Sequence, residues 1–246
     1  MPSFRARRLL LVVAAALLLP ASTCVAQTPD QQPPKQTWLQ RFLGIKPDLS
    51  GGWLCVGFKG NSHDGLYFAV SKDGYLWQSV NFDRPILWQE QRGELMRDPF
   101  LQRAPDGSVR MVWTWSSDSP AAIGYSTSTD LIHWSKQLRL PVAEVLPDAT
   151  HVSAPATYYQ PDNKDWLILF SATAPSEPGD RIYATTTADF KTFQPAKVFS
   201  GHNLSDPTSK ITVPDGLSHG SLLHLQTSEY NLLHYYHGAS DSALDK

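Results

Sequence analysis

The sequence predicts an all-β fold, a β-propeller of four-stranded blades, on three observations. The first is a short pattern that recurs three times. Phe68-Ala69-Val70-Ser71-Lys72-Asp73-Gly74-Tyr75-Leu76-Trp77 is echoed by Tyr125-Ser126-Thr127-Ser128-Thr129-Asp130-Leu131-Ile132-His133-Trp134 and by Ala184-Thr185-Thr186-Thr187-Ala188-Asp189-Phe190-Lys191-Thr192-Phe193. Each copy has a Ser or Thr two residues before an Asp and an aromatic four residues after it, and the Asp residues are 57 and 59 apart. The second observation is that each copy follows an aromatic, β-branched run, at residues 53–58, 111–115 and 166–170. Leu66, Ile123 and Ile182 then stand seven residues ahead of the three Asp residues. The third is that helical periodicity is almost absent between residues 51 and 225. Strand, turn, strand, Asp-turn, strand at a steady spacing is the pattern of propeller blades.

Local chemistry explains the repeat. A short Asp or Ser side chain bonds nearby backbone N–H groups and holds a tight turn. The following aromatic packs the outer strand back onto its neighbour. These residues are therefore read as turn and packing residues rather than ligands. Propellers close with about four to eight blades, so three leave the ring incomplete. Its open sheet edges would recruit other strands, which predicts self-association.

The chain before the blades reads as an address and a leader. Arg5, Arg7 and Arg8 precede an apolar run at residues 9–19, and Cys24-Val25-Ala26 forms a small-residue exit before Gln27. That order predicts a secretory signal peptide over residues 1–26, and hence a secreted or periplasmic protein. The apolar run is about half the roughly 20 residues of a membrane span, so no span is expected. A retained anchor helix and a lipidated Cys24 are the alternatives. Residues 27–50 form a polar leader with one short helical turn at residues 39–44. Residues 51–225 form the propeller-like domain and residues 226–246 a C-terminal tail, in which His234-Tyr235-Tyr236-His237 reads as a polar aromatic end that frays rather than a metal site.

Removing residues 1–26 leaves 18 Lys+Arg against 23 Asp+Glu, a net charge of −5. That leaves no basic stripe, which excludes nucleic acid and anionic membrane as expected partners. Cys55 would then be the one remaining cysteine, unable to form an internal disulfide and read as a small buried core residue.

Hydrolysis by paired carboxyl groups needs two acidic side chains flanking the substrate. In a propeller the strands that begin each blade converge at the axis, so the candidates stand at their starts. Met96-Arg97-Asp98-Pro99-Phe100 offers Asp98, which Pro99 is expected to hold extended at the end of a partly paired strand. The next inner strand, from His151, carries no carboxylate, and Leu204-Ser205-Asp206-Pro207 supplies a second Asp-Pro. Taken alone an Asp-Pro is also a common turn opening. Phosphate-loop, dinucleotide and Cys-pair zinc patterns are absent from the sequence.

Several segments together resemble a secreted branch of glycoside hydrolase family 43. They are Lys59-Gly60-Asn61-Ser62-His63-Asp64-Gly65-Leu66, the stretch from Met96-Arg97-Asp98-Pro99 through Pro105-Asp106-Gly107 to Met111-Val112-Trp113-Thr114, and Ile123-Gly124-Tyr125-Ser126 with Asp130-Leu131-Ile132-His133-Trp134-Ser135. The resemblance runs from about Trp53 to Phe199. It implies a five-bladed propeller and inverting hydrolysis of arabinofuranosyl, xylosyl or related plant-glycan linkages, with an oligosaccharide or polysaccharide as partner. It also implies a base, a modulating Asp and a Glu acid at the axis. Asp98 falls on the base position, and Ser153-Ala154-Pro155-Ala156 stands where the family usually reads Trp-Ala-Pro-Glu. Asn61, Asp64, Arg97, Trp115 and His151 are the candidate substrate-binding residues. Val213-Pro214-Asp215-Gly216-Leu217-Ser218-His219-Gly220-Ser221 resembles the closing motif, whose axial His helps to hold a metal ion. Calcium at His219 is thus the one metal implied, with no cofactor required. A rival alignment makes Asp206 the modulator. Under either, no residue matches the Glu acid, and Glu229 has unlike surroundings. A non-catalytic carbohydrate-binding propeller is therefore the alternative to an impaired hydrolase.

Overall fold

The computed structural model of the chain describes residues 24–25, 51–60, 65–91, 93–116, 121–175, 177–199 and 218–237. A two-residue strand, β1 (Cys24–Val25), comes first. The first repeat holds β2 (Gly52–Phe58), β3 (Leu66–Ser71) and β4 (Gln78–Ser79). The second holds β5 (Arg97–Arg103), β6 (Val109–Ser116), β7 (Ala122–Ser128) and β8 (Leu138–Pro141). The third holds β9 (Thr150–Gln160), β10 (Asp165–Ala174), β11 (Glu177–Thr187) and β12 (Lys197–Val198). Then come β13 (Ser218–Leu225) and a helix, α1 (Thr227–His237).

These strands form three sheets, ordered β1-β13-β2-β3-β4, β5-β6-β7-β8 and β12-β11-β10-β9. Each blade is an antiparallel meander, as expected. The first blade takes its innermost strand from the far end of the chain: β13 lies against β2 with Ser221 opposite Val56 and Leu223 opposite Leu54. The segment that resembles a closing motif thus closes the first blade. Gly220 is needed there, since a Cβ would lie 1.7 Å from the Val56 carbonyl oxygen.

The repeated turns are built as their chemistry requires. The Asp73 carboxylate accepts from the N–H groups of Tyr75 and Leu76, Asp130 from those of Ile132 and His133, and Asp189 from those of Lys191 and Thr192, all at 2.8–2.9 Å. Ser71, Ser128 and Thr187 each accept from the residue just after the Asp, at 2.8–2.9 Å. That residue is left-handed in all three copies, with φ of 79° at Gly74, 66° at Leu131 and 57° at Phe190. Such φ values are disfavoured away from glycine. Leu131 and Phe190 hold them because both side chains are buried in the core.

Two cores join the blades. Between the first and second lie Leu54, Phe68, Met96, Leu101, Met111, Trp113 and Trp115. Gly124 lets the Trp113 indole lie against β7, where a Cβ would come within 2.0 Å of the ring. Between the second and third, Phe100 meets Tyr158 at 5.1 Å between ring centroids. Arg110 there donates to the Tyr125 hydroxyl and lies 4.9 Å from the Trp166 ring centre, a cation held on aromatic faces.

Cys55 is buried, as expected, and in the full-length chain it is disulfide-bonded. The sequence has two cysteines, so cleavage after Ala26 would remove the only other one, Cys24. β1, inside the expected signal peptide, pairs in parallel with β13. The expected fraying tail is instead helical over Thr227–His237, with Tyr230 and Leu233 buried. Its polar composition hid an i, i+3 apolar pair and a helix start: the Glu229 carboxylate reaches back to the Gln226 N–H at 2.9 Å. The expected helical turn at residues 39–44 lies outside the described residues. Among the described residues no helix is long and apolar enough to cross a membrane.

The repeat turns set an acid limit on the fold. Burial raises the Asp130 carboxyl, but bonds from the His133 side chain and from the His133 and Ile132 N–H groups outweigh it and hold the group at about 2. N–H bonds from Thr192 and Lys191 hold Asp189 at about 2 as well. An unfolded Asp titrates near about 3.9. A group depressed on folding contributes stability above its unfolded value and loses it as pH falls through the folded one. The thermal midpoint should therefore fall between about pH 4 and pH 2. In Asp130→Asn/Asp189→Asn it should start lower at pH 7 and respond less to acid. Equal acid slopes for the two proteins in a circular-dichroism melt would rule the turns out as the cause.

Candidate active site

The inner strands β13, β5 and β9 carry the same irregularity near their starts. In β5, Arg97 lies opposite Thr114 and Phe100 opposite Val112, so two residues, Asp98 and Pro99, face Trp113 alone. In β9, Ser153 lies opposite Ser171 and Ala156 opposite Leu169, so Ala154 and Pro155 are the extra pair. In β13, Ser218 lies opposite Phe58 and Ser221 opposite Val56, which makes His219 and Gly220 the extra pair. Asp98, Ala154 and His219 are therefore equivalent positions on three successive inner strands. Bulges of this kind end regular pairing and re-aim a side chain.

Asp98 and Ala154 both have positive φ, 51° and 48°. The expected extended Asp98 is thus corrected: the bulge, rather than the following proline, sets its backbone. Neighbouring inner strands touch through these positions. The Ala154 N–H reaches Asp98 Oδ2 at 3.4 Å and Thr114 Oγ1 at 3.2 Å, while the Thr114 hydroxyl donates to the same Asp98 oxygen at 2.9 Å. Arg97 Nε stands 3.4 Å from it. The Asp98 side chain is 10% exposed, so it is held with one edge open. Thr114 and the Ala154 amide were not singled out in the sequence. Strand alternation along β6 would have placed Thr114 on the face of Arg110 and Val112, toward β9.

The starts of the inner strands form one end of the molecule, the mouth. β3, β7 and β11 run in the same direction, so Ser71, Ser128 and Thr187, which close them, put all three Asp turns at the opposite end. That confirms geometrically that Asp73, Asp130 and Asp189 stand apart from the mouth.

Arg97, Asp98 and His151 share the mouth, with His151 exposed at the start of β9 on a left-handed backbone (φ 53°). Trp115 stands at the same end of β6 but is 4% exposed and stacks on Trp113 with 6.0 Å between ring centroids. In this structure it presents no open face to a sugar, because the interface between the first two blades covers it. His219 is on β13 at the mouth, and its side chain is outside the described set; Asn61, Asp64 and Asp206 also lie outside the described residues.

Glu229 is at the far end. Both its oxygens bind Arg103, the last residue of β5, at 2.7 and 2.8 Å. Five strand steps separate Arg103 from Asp98, about 16 Å. A cleft of about 480 Å³ opens beside this pair, between Ser108, Asp130, Gln226 and Leu232, and it faces away from the mouth. Among the described inner strands Asp98 is the sole carboxylate. Asp180 lies opposite Thr173 on the mouth side, two strands out from β9, and Glu94 stands just before β5.

Residues 48–224 match the family model described as a probable glycosyl hydrolase domain, related to family 43. The chain belongs to that family. A comparison with curated proteins finds no match. Among solved structures, the chain is similar to an α-L-arabinofuranosidase from Fusarium graminearum, at 18% identity and a TM-score of 0.45, covering 63% of this chain and 47% of that one. An endo-arabinase from Bacteroides thetaiotaomicron gives 13% identity and a TM-score of 0.38, covering 69% and 73%. An arabinanase from Bacillus subtilis gives 15% and 0.32, covering 42% and 37%. The family 43-related domain here thus spans under half the length of the Fusarium and Bacillus subtilis proteins. Among the described residues no three His, Cys, Asp or Glu side chains come together, and the side chain of His219, the implied metal ligand, lies outside them.

Proposed function

We propose that this family 43-related domain is an exported, impaired glycoside hydrolase directed at arabinofuranosyl- or xylosyl-type plant glycans, with Asp98 as the base. One observation carries the reading: the shared bulge puts Asp98 and Ala154 at equivalent places on adjacent inner strands, carboxylate on one and methyl on the other. In inverting hydrolysis a base takes a proton from water while an acid protonates the departing oxygen. Asp98, oriented by the Thr114 hydroxyl and the Ala154 N–H, suits the first task. The described inner strands offer nothing for the second. A sugar alkoxide needs that proton to leave; nitrophenolate does not.

The exported protein, starting at Gln27 by mass, should hydrolyse nitrophenyl α-L-arabinofuranoside or β-xyloside slowly. It should stay near background on the matching oligosaccharides. Brisk oligosaccharide cleavage would mean that an acid is present, with Asp180, Glu94 and Asp206 the first to replace. The methyl group at Ala154 also favours a second reading, a propeller that binds sugar without cleaving it. Binding of oligosaccharide with no hydrolysis of either substrate would select that one.

A further inference from the structure

We infer that Phe82 is a sugar-binding platform at the rim of the mouth, a role that rests on the carbohydrate-directed reading above. Asn81, Phe82 and Asp83 are three consecutive residues with positive φ, 59°, 53° and 61°. Single non-glycine residues visit that region when local bonds favour it, and a run of three, with a bulky aromatic in the middle, is disfavoured throughout. Backbone held this way persists where its surroundings over-determine it, and it concentrates at ligand sites.

The surroundings here do so. Lys59 Nζ donates to both Asp83 oxygens at 2.7 Å. The Asn81 amide donates to the Pro85 carbonyl at 2.9 Å, and the Arg84 N–H to the Asn81 carbonyl at 3.0 Å. These bonds fix the backbone on both sides of Phe82 and leave its ring 72% exposed. A buried ring would explain the turn as packing, but this one is displayed.

The turn is also in the right place. Ile86 donates to the Leu66 carbonyl and Leu66 to the Leu87 carbonyl, which ties the segment to the start of β3. Leu66 lies opposite Phe58, and Phe58 opposite Ser218 at the start of β13. That is the mouth, where Asp98 stands. β3 is two strand spacings from the inner strand, about 10 Å. A ring there would meet a sugar some way along a chain rather than the one at Asp98. Tyr75 and Leu76 are as exposed but sit on the Asp73 turn at the opposite end. A flat apolar ring in water matches the C–H face of a furanose or pyranose, and an aromatic contact adds to simple burial.

Titration calorimetry with linear α-1,5-arabinohexaose and β-1,4-xylohexaose tests this on the exported protein. Phe82→Ala should weaken the better-bound hexaose about five- to tenfold. Phe82→Tyr should keep the wild-type affinity, and so should Tyr75→Ala, which removes an equally exposed ring from the Asp73 turn at the opposite end. Phe82→Ala within twofold of wild type would overturn the platform while leaving the proposed function standing. So would an equal loss in Tyr75→Ala. A wild type that binds neither hexaose would overturn the carbohydrate reading itself, and the platform with it. If Phe82→Ala leaves binding intact but breaks up a dimer in light scattering, the ring is a protein contact and the inference fails.

Discussion

Asp98→Asn is expected to remove the residual hydrolysis of nitrophenyl α-L-arabinofuranoside, lowering the rate by about 10²–10⁴. The substitution is nearly isosteric. An Asn oxygen at the same place still accepts from the Thr114 hydroxyl, 2.9 Å away, and from the Ala154 N–H, so the junction of β5 and β9 should survive. What disappears is the capacity to take a proton from water. The melt should therefore move little while the rate collapses, and that split separates chemistry from folding. Thr114→Val is the companion variant: it keeps the carboxylate, removes the hydroxyl that orients it, and should lose part of the rate. An unchanged rate in Asp98→Asn would take the base assignment away from Asp98.

Arg103→Met should have the largest effect on stability and little on chemistry. The Arg103 and Glu229 side chains are 7% and 12% exposed and meet at 2.7 Å. Removing one partner of a buried pair leaves the other charge uncompensated, at a cost of about 3–5 kcal/mol. For a chain of this size that lowers the melting midpoint by roughly 10 °C. Glu229 also holds the start of α1 through the Gln226 N–H, so the loss should spread into the helix. Arg103→Met/Glu229→Leu should recover much of the midpoint, because well-packed apolar residues replace a buried pair at little net cost. Glu229→Gln addresses function: it should lower the midpoint and leave the rate per folded molecule unchanged. Lost hydrolysis with an unmoved midpoint would put Glu229 in the catalytic machinery and contradict its place at the far end of β5.

The blades were legible because their determinants are local. Ser71 and Asp73 bond backbone groups within three residues, as do Ser128 and Asp130, so spacing in sequence is spacing in space. The bulge was not legible. An Asp-Pro reads as extended from its own sterics, and the left-handed Asp98 appears only once Arg97 and Phe100 are both in register with β6. Trp115 shows the same limit from the other side. An aromatic at the end of a strand reads as a sugar platform until a neighbouring blade covers it. The helix went unseen because its stabilising partner, Arg103, is 126 residues from Glu229.

By itself the sequence determined the strand content, the four-strand period, the turn chemistry and the family, since each rests on contacts between residues a few positions apart or on ordered motifs. Tertiary structure alone decided which side chains share an end. It made Ala154 the counterpart of Asp98, placed Glu229 at the opposite pole, and raised Phe82 at the rim in place of Trp115. Such choices depend on pairing register between distant strands, and a slip of one residue turns every side chain to the other face.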